Sequence, residues 1–395
     1  MASLLTLEEA QERVLAVAGP LPVELVPIAS AAGRVAAQDV RAQVDLPPFA
    51  SSAMDGFAVH TADLPATLEI VGESAAGSPF EGRLERGTAV AISTGAVVPD
   101  GADAVVPVEI VVQHDNRVEF PRGAEAGANV RPPGSDVASG DVVVPAGVWL
   151  TPARVAAAAA AGLAAVLCSR RPRVAVLATG SELVAPGEPL RPGEIYEANG
   201  LMLGAALAAG AELVTEPTAA DDEATLRAAL ERGLSADVLV TSGGVSVGEH
   251  DLVRSVEREL GVEEIFWRVS IKPGKPISFG MRGGTLVFGL PGNPVSALVG
   301  CELFVKPALR ALQGLADPLP RYEPGRLSVG LPRNGERDEF VRARSRVEGD
   351  SVVLEPVVGQ ESHMIVRSSA ADALVHVPRG NGELATGSTV RWLRL

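Results

Sequence analysis

Cysteine is nearly missing from this chain. Cys168 and Cys301 are the only two in 395 residues. That excludes a disulfide framework and any Cys-rich zinc site. Lysine is almost as scarce: Lys272, Lys275 and Lys306 stand against 31 arginines. No dense Lys/Arg cluster offsets the net charge of −15, so a nucleic-acid partner is not expected. Long apolar runs are also lacking. The longest nearly uncharged stretch, Val155 to Cys168, falls short of the ~20 residues that span a bilayer, so no membrane partner is expected. The opening MASLLTLEEAQERV has no basic segment followed by an apolar one, so no signal peptide is expected. A soluble, cytoplasmic protein is the expectation. The phosphate-binding P-loop, the Gly-x-Ser-x-Gly elbow and a Gly-x-G-x-x-Gly after the first strand are absent too.

What is present is ample core material. Apolar residues make up 47% and charged residues 21%, which speaks against disorder. With 42 Gly and 30 Pro, many turns and short elements are expected. At ~100–200 residues per domain the length predicts two to four domains. Thr6-Leu7-Glu8-Glu9 reads as a capping box opening a helix that Gly19-Pro20 stops. Thr151-Pro152 opens an Ala-rich helix to Ala161. Between them, residues 45–146 carry short β-rich runs such as Thr67–Val71 and Ala104–Val108. The expectation is an inserted β-rich domain splitting a helical linker domain of residues 1–44 plus 147–171. Residues 172–315 alternate strand and helix, which predicts a three-layer α/β domain, with a single helix from Pro294 to Leu312 at its end. Residues 320–395 are strand-rich and predict a small β-barrel or sandwich.

In an open α/β sheet, ligands bind beyond the carboxyl ends of the strands. Three turn-rich segments each follow a strand here: Ala178–Leu183, Thr241–Asp251 and Gly289–Pro294. They are expected to meet at one edge. The first supplies Thr179, Gly180 and Glu182. The second supplies Ser242, Gly243, Gly244 and Ser246, with bare N–H groups and hydroxyls suited to an anion. Asp251 at its end is either a helix cap or a ligand, and the preceding Gly-Gly-Val-Ser-Val-Gly loop favours a ligand. The third supplies Pro291, Gly292, Asn293 and Pro294 before a helix N-terminus. Of Asp221 and Asp222, one is expected to be only a cap. Carboxylates meeting hydroxyls and lysines at one edge suit Mg²⁺ with a phosphate ligand, and Glu182 and Asp251 are the expected metal ligands. The five histidines lack metal-ligand spacing. His363 and the others read as bland, except His250 within the glycine loop. Two of the three lysines share Lys272-Pro273-Gly274-Lys275-Pro276. Chance would allow that, but a site requiring a compact ammonium explains it better.

Together these segments, with the loop Ser52-Ala53-Met54-Asp55-Gly56-Phe57-Ala58, resemble the molybdopterin molybdenumtransferase family, MoeA and the gephyrin E-domain. The resemblance covers essentially the whole chain. It implies an elongated homodimer, with a cleft between one subunit's inserted domain and the other's α/β domain. It implies insertion of molybdate into adenylylated molybdopterin, with release of AMP and molybdenum cofactor, supported by Mg²⁺. It places Asp55, Asp136, Glu182, Asp221 and Asp251 around that cleft, with Lys272, Lys275 and Arg268 holding anions. Thr94, Pro291, Pro294 and Ser362 match too, and Arg337 or Arg342 is the expected arginine from the barrel. Arg268 stands where relatives often carry Lys, and Ser181 where some carry Asp. Two alternatives are a CinA-like nucleotide pyrophosphatase, against which the Ser-Ala-Met-Asp-Gly loop argues, and a gephyrin-like scaffold without turnover.

Overall fold

The computed structural model describes residues 4–215, 222–244 and 252–395. The chain divides into two compact units, Met1–Glu24 with Cys168–Leu395, and Leu25–Leu167. Among the described residues no helix is long and apolar enough to cross a membrane.

The unit Leu25–Leu167 is built on a six-stranded sheet. Its order is 104–107, 56–59, 88–92, 66–74, 117–120, 112–114. Alternate residues face opposite sides of a strand, and the two cores follow that rule. Phe57, Val59, Ala104 and Val106 lie in one, with Phe120 set edge-on to Phe57 at 6.2 Å. Ala58 and Val105 lie in the other, with Leu84, Val90 and Ile92. Gly56 is the first residue of a strand, where a Cβ would sit 2.1 Å from the Val106 carbonyl oxygen. The Ala-rich helix Pro152–Ala160 is capped by Thr151, as expected.

In the other unit, helix α1 (Leu7–Leu15) carries the expected capping box: Thr6 N–H donates to Glu9 and Glu9 N–H to Thr6 Oγ1. It ends at Leu15, before Gly19-Pro20. Residues 25–44 and 147–167 belong to the other unit, whereas α1 buries Leu7, Ala10 and Val14 against the α/β sheet.

That sheet comprises β1 (Arg173–Ala178), β2 (Glu212–Thr215), β3 (Val238–Ser242), β4 (Glu263–Trp267), β5 (Ser278–Arg282) and β6 (Thr285–Leu290), in the order β2-β1-β3-β6-β5-β4. The first four in that order are parallel; β5 runs antiparallel to β6, and β4 antiparallel to β5. Helices cover both faces, since strands buried on both sides need two apolar layers. On one face α1, α2 (Asn199–Leu207), α5 (Pro294–Gly300) and α6 (Lys306–Leu312) pack on Val174, Val176, Val238 and Phe288. On the other, α3 (Glu223–Gly233) and α4 (Leu252–Glu259) pack on Ala175, Leu177, Leu239 and Val287.

The single helix expected from Pro294 to Leu312 is interrupted by a π-helical turn, Cys301–Val305. An extra residue in a turn disturbs the regular backbone bonding. Buried Gln11 of α1 donates its amide to the Leu303 carbonyl there at 2.9 Å.

Five strands of the C-terminal region close into a barrel: 323–327, 338–348, 351–356, 373–377 and 389–394. Strand 338–348 pairs with both 351–356 and 373–377, and strand 389–394 pairs with both 323–327 and 373–377. Trp392 fills the barrel core and donates to the Pro324 carbonyl. The short strand Ile271–Lys272 runs alongside Asp338–Glu339 and joins barrel to α/β domain.

At the amino ends of the sheet strands, Arg170 grips Asp237 through two 2.6 Å bonds and Arg173 N–H adds a third. Burial raises the Asp237 pKa, but these bonds outweigh it and hold the carboxyl below its ordinary value. A carboxylate with a lowered folded-state pKa stabilises above its unfolded pKa of about 3.9, and that stabilisation is lost as pH falls through the folded value. Asp237→Asn is therefore expected to lose about 2 kcal/mol at neutral pH. Denaturant melts should show the gap narrowing below about pH 4. A gap independent of pH would refute this account.

Candidate active site

Three of the parallel strands stop level with one another. Ala178 of β1 pairs with Ser242 of β3, and Ser242 with Leu290 of β6. The three loops beyond them do meet, and they line one cavity of about 1020 Å³. From the first come Thr179, Gly180 and Glu182, from the second Ser242, Gly243 and Gly244, and from the third Pro291, Gly292, Asn293 and Pro294.

The polar groups of these loops are largely spent on one another. Thr179 N–H donates to the Ser242 carbonyl at 3.0 Å, and Gly243 N–H to the Leu290 carbonyl at 3.1 Å. Ser242 Oγ donates to the Pro291 carbonyl, and buried Thr241 Oγ1 to the Phe288 carbonyl. The expected anion cradle is thus, at these groups, a brace. Gly243 is needed for closeness: its φ is +104°, and a Cβ would lie 2.5 Å from the Thr179 carbonyl oxygen. Gly244, with φ +64°, would drive a Cβ to 2.2 Å from Val253 on α4.

Glu182 is exposed on the cavity wall, and a Cβ at Gly180 would meet its carboxylate at 2.7 Å. Ser362 does not line the cavity itself; its carbonyl accepts Val295 N–H in the first turn of α5 at 3.0 Å. That donor, expected to face an anion, is taken.

The expected cations are placed elsewhere. Lys272 pairs with Glu339 of the barrel at 2.8 Å. Lys275 is exposed, and only Pro276 of its turn reaches the cavity. Arg268, with φ +75°, lies 3.7 Å above the Trp267 ring, a cation–π contact. Arg342 corrects an expectation outright. It is 1% exposed, so it offers no surface to a ligand. Its guanidinium donates to the carbonyls of Gly359, Glu361 and Met364 and to Ser368 Oγ. Burial lowers its pKa.

In the Leu25–Leu167 unit, Asp55 and Thr94 come together. Asp55 Oδ1 accepts Thr94 N–H at 2.6 Å and Thr94 Oγ1 at 3.0 Å, and these bonds hold its carboxyl below the ordinary value. Asp136 is exposed on its loop, where its N–H donates to the Leu46 carbonyl. Asp222 is the helix cap of the expected pair, accepting Thr225 N–H. Asp221, Ser246, His250 and Asp251 lie outside the described residues.

Sequence reasoning passed over Asn199, Glu197 and Tyr196 and read His363 as bland, yet all four line the cavity. Asn199 spends both amide hydrogens, on Ser242 Oγ at 2.9 Å and on the Gly292 carbonyl at 2.7 Å. Buried Glu197 accepts Gly200 N–H at 2.6 Å. Their signal was Glu197-Ala-Asn199 at a helix start, a pattern that ordinarily announces nothing more than a cap.

The parallel strand ends and the braced glycine residues set a cavity in an α/β domain whose chain also carries β-rich regions before and after it. Residues 175–311 match the model of a probable molybdopterin binding domain. Residues 5–162 match the MoeA N-terminal region (domain I and II), and residues 324–395 the MoeA C-terminal region (domain IV). The chain is 35% identical to a molybdopterin molybdenumtransferase of Haemophilus influenzae over 98% of each chain. It is 39% identical to molybdopterin molybdenumtransferase 2 of Mycobacterium tuberculosis over 93% of each. A crystal structure of a molybdopterin biosynthesis MoeA protein from Pyrococcus horikoshii matches with TM-score 0.83 and 33% identity, covering 99% of both chains. The chain belongs to the molybdopterin molybdenumtransferase family.

Asn199→Ala is expected to free Ser242 and Gly292 from their shared tie. The loss should be about 1–2 kcal/mol of stability, the scale of two hydrogen bonds with a partly buried partner. Thermal melts test this, and an unchanged midpoint would show that the tie holds nothing.

Proposed function

We propose that this chain completes molybdenum cofactor biosynthesis by inserting molybdate into adenylylated molybdopterin. The phosphoanhydride is cleaved, AMP leaves, and molybdenum cofactor is released. The observation that carries this reading is the cavity at the carboxyl ends of three parallel strands, inside a chain with full-length likeness to named molybdenumtransferases. The likeness of residues 5–162 and 324–395 to MoeA regions is what a CinA-like reading of the α/β domain alone leaves unexplained. A cytoplasmic setting goes with this biosynthetic role.

Mg²⁺ is part of the proposal. Among the described residues no group of three or more potential metal-ligating side chains gathers. Mg²⁺ does not require one, because it takes one or two carboxylates together with phosphate oxygens and water. Glu182, exposed on the cavity wall, fits that role, and Asp251 is the second candidate by sequence. When bound, the ion would offset the charge of phosphate groups lying beside Glu182 and Glu197. The braced residues Thr179, Ser242 and Gly243 would help fix the ligand's position, since they have little freedom left to lose on binding. Glu182→Gln should cut molybdate-dependent AMP release about 100-fold and raise the Mg²⁺ concentration for half-maximal rate. Unchanged turnover and Mg²⁺ dependence would refute the assignment.

A homodimer with a shared site is also proposed. It is supported by the family resemblance and by the location of Asp55 and Thr94 in a different unit from the cavity. Asp55→Ala and Glu182→Gln homodimers should each be impaired. If the halves come from different subunits, a mixed dimer has one intact and one doubly damaged site. Such a dimer, purified through two different tags, should recover roughly half of parental activity under twofold symmetry. Mixed dimers that form but stay impaired would refute the shared site.

A further inference from the structure

The cavity has a charge problem. Its proposed ligand is anionic, yet Glu182 and Glu197 line it, and no Lys or Arg is among the described residues of its wall. One described lining side chain can carry positive charge: His363. It is exposed and sits beside the Pro291–Pro294 loop on a segment that does not belong to the α/β domain.

That segment, residues 359–368, is built around Arg342. The guanidinium donates to Gly359 O at 2.8 Å, Glu361 O at 3.3 Å, Met364 O at 2.9 Å and Ser368 Oγ at 2.5 Å. Gln360 completes the mount, donating its amide to the Arg342 and Val357 carbonyls. The far side is pinned where Val295 N–H meets the Ser362 carbonyl. The position of His363 is therefore fixed from both neighbours, one bond before it and one after.

We propose that His363 contacts the phosphate oxygens of the bound nucleotide conjugate, and that buried Arg342 is its positioning residue. The charge of Arg342 never meets the ligand; it acts through the carbonyls that shape the His363 segment. This rests on the reading above that the ligand is adenylylated molybdopterin.

Equilibrium dialysis with AMP tests both parts in the full-length protein. His363→Gln is expected to weaken AMP binding about tenfold without moving the melting temperature, and His363→Lys to keep it within about threefold. Arg342→Lys should weaken AMP binding similarly in the parent, yet add nothing in a His363→Gln background, because groups acting in series are not additive. Should Arg342→Lys fail to fold, Ser368→Ala removes one of its acceptors and takes its place in the cycle. Parental affinity in His363→Gln, or no rescue by Lys, overturns the histidine's role. A full additive loss overturns the positioning role alone. If the parent neither binds AMP nor releases it in the presence of substrate and molybdate, the functional reading falls and this inference with it.

Discussion

The level ending of three parallel strands at Ala178, Ser242 and Leu290 is the constraint on which the site depends. Parallel strands leave their carboxyl ends side by side, so three loops remote in sequence must share one small space. They share it by bonding to each other. Thr179 N–H to Ser242 O, and Gly243 N–H to Leu290 O, continue the sheet's bonding one residue past its edge. That continuation brings the Gly243 backbone so near Thr179 that no side chain fits between them. A rigid floor follows from ordinary strand pairing, and Asn199 then locks the second and third loops from above.

The same economy governs the cations. In an acidic chain with few lysines, Lys272 meets Glu339 and Arg268 covers Trp267. Arg342 gives up solvent for three carbonyls and a hydroxyl. Both terminal nitrogens meet acceptors while the buried Nε has none, and the planar fork can meet several carbonyls at once where an ammonium cannot. These residues organise the protein more than they decorate a surface.

The architecture was legible because periodicity carries it. Strands 173–178, 238–242 and 285–290 are near-continuous apolar runs, and Thr6, Thr151 and Asp222 are caps whose chemistry is local. The convergence of the three loops followed from topology alone. What sequence did not disclose was direction. Ser242, Gly243 and Thr241 are the right residue types for an anion, yet their donors turn inward. Arg342 has the right charge, but its strand alternation points it into the protein. His363 carried no spacing signal, because its meaning comes from a segment folded over a distant helix start. Residue type reports capability, while partners 17 to 292 positions away decide its use. The π-helical turn at Cys301–Val305 was likewise hidden, since its backbone needs are met by Gln11 from the other end of the chain.

That last contact has a consequence for the order of assembly. Gln11 meets Leu303 across 292 positions, and Leu7, Ala10 and Val14 lie in the same core as Phe304 and Leu312. As the chain leaves the ribosome, α1 is made well before Leu303, Phe304 and Leu312, which complete its seat. The Leu25–Leu167 unit, compact in itself, can close meanwhile. Contacts distant in sequence form late because the intervening loop must first be closed. A helix made early is thus among the last to dock, and the apolar face it presents must be kept from other partners until then.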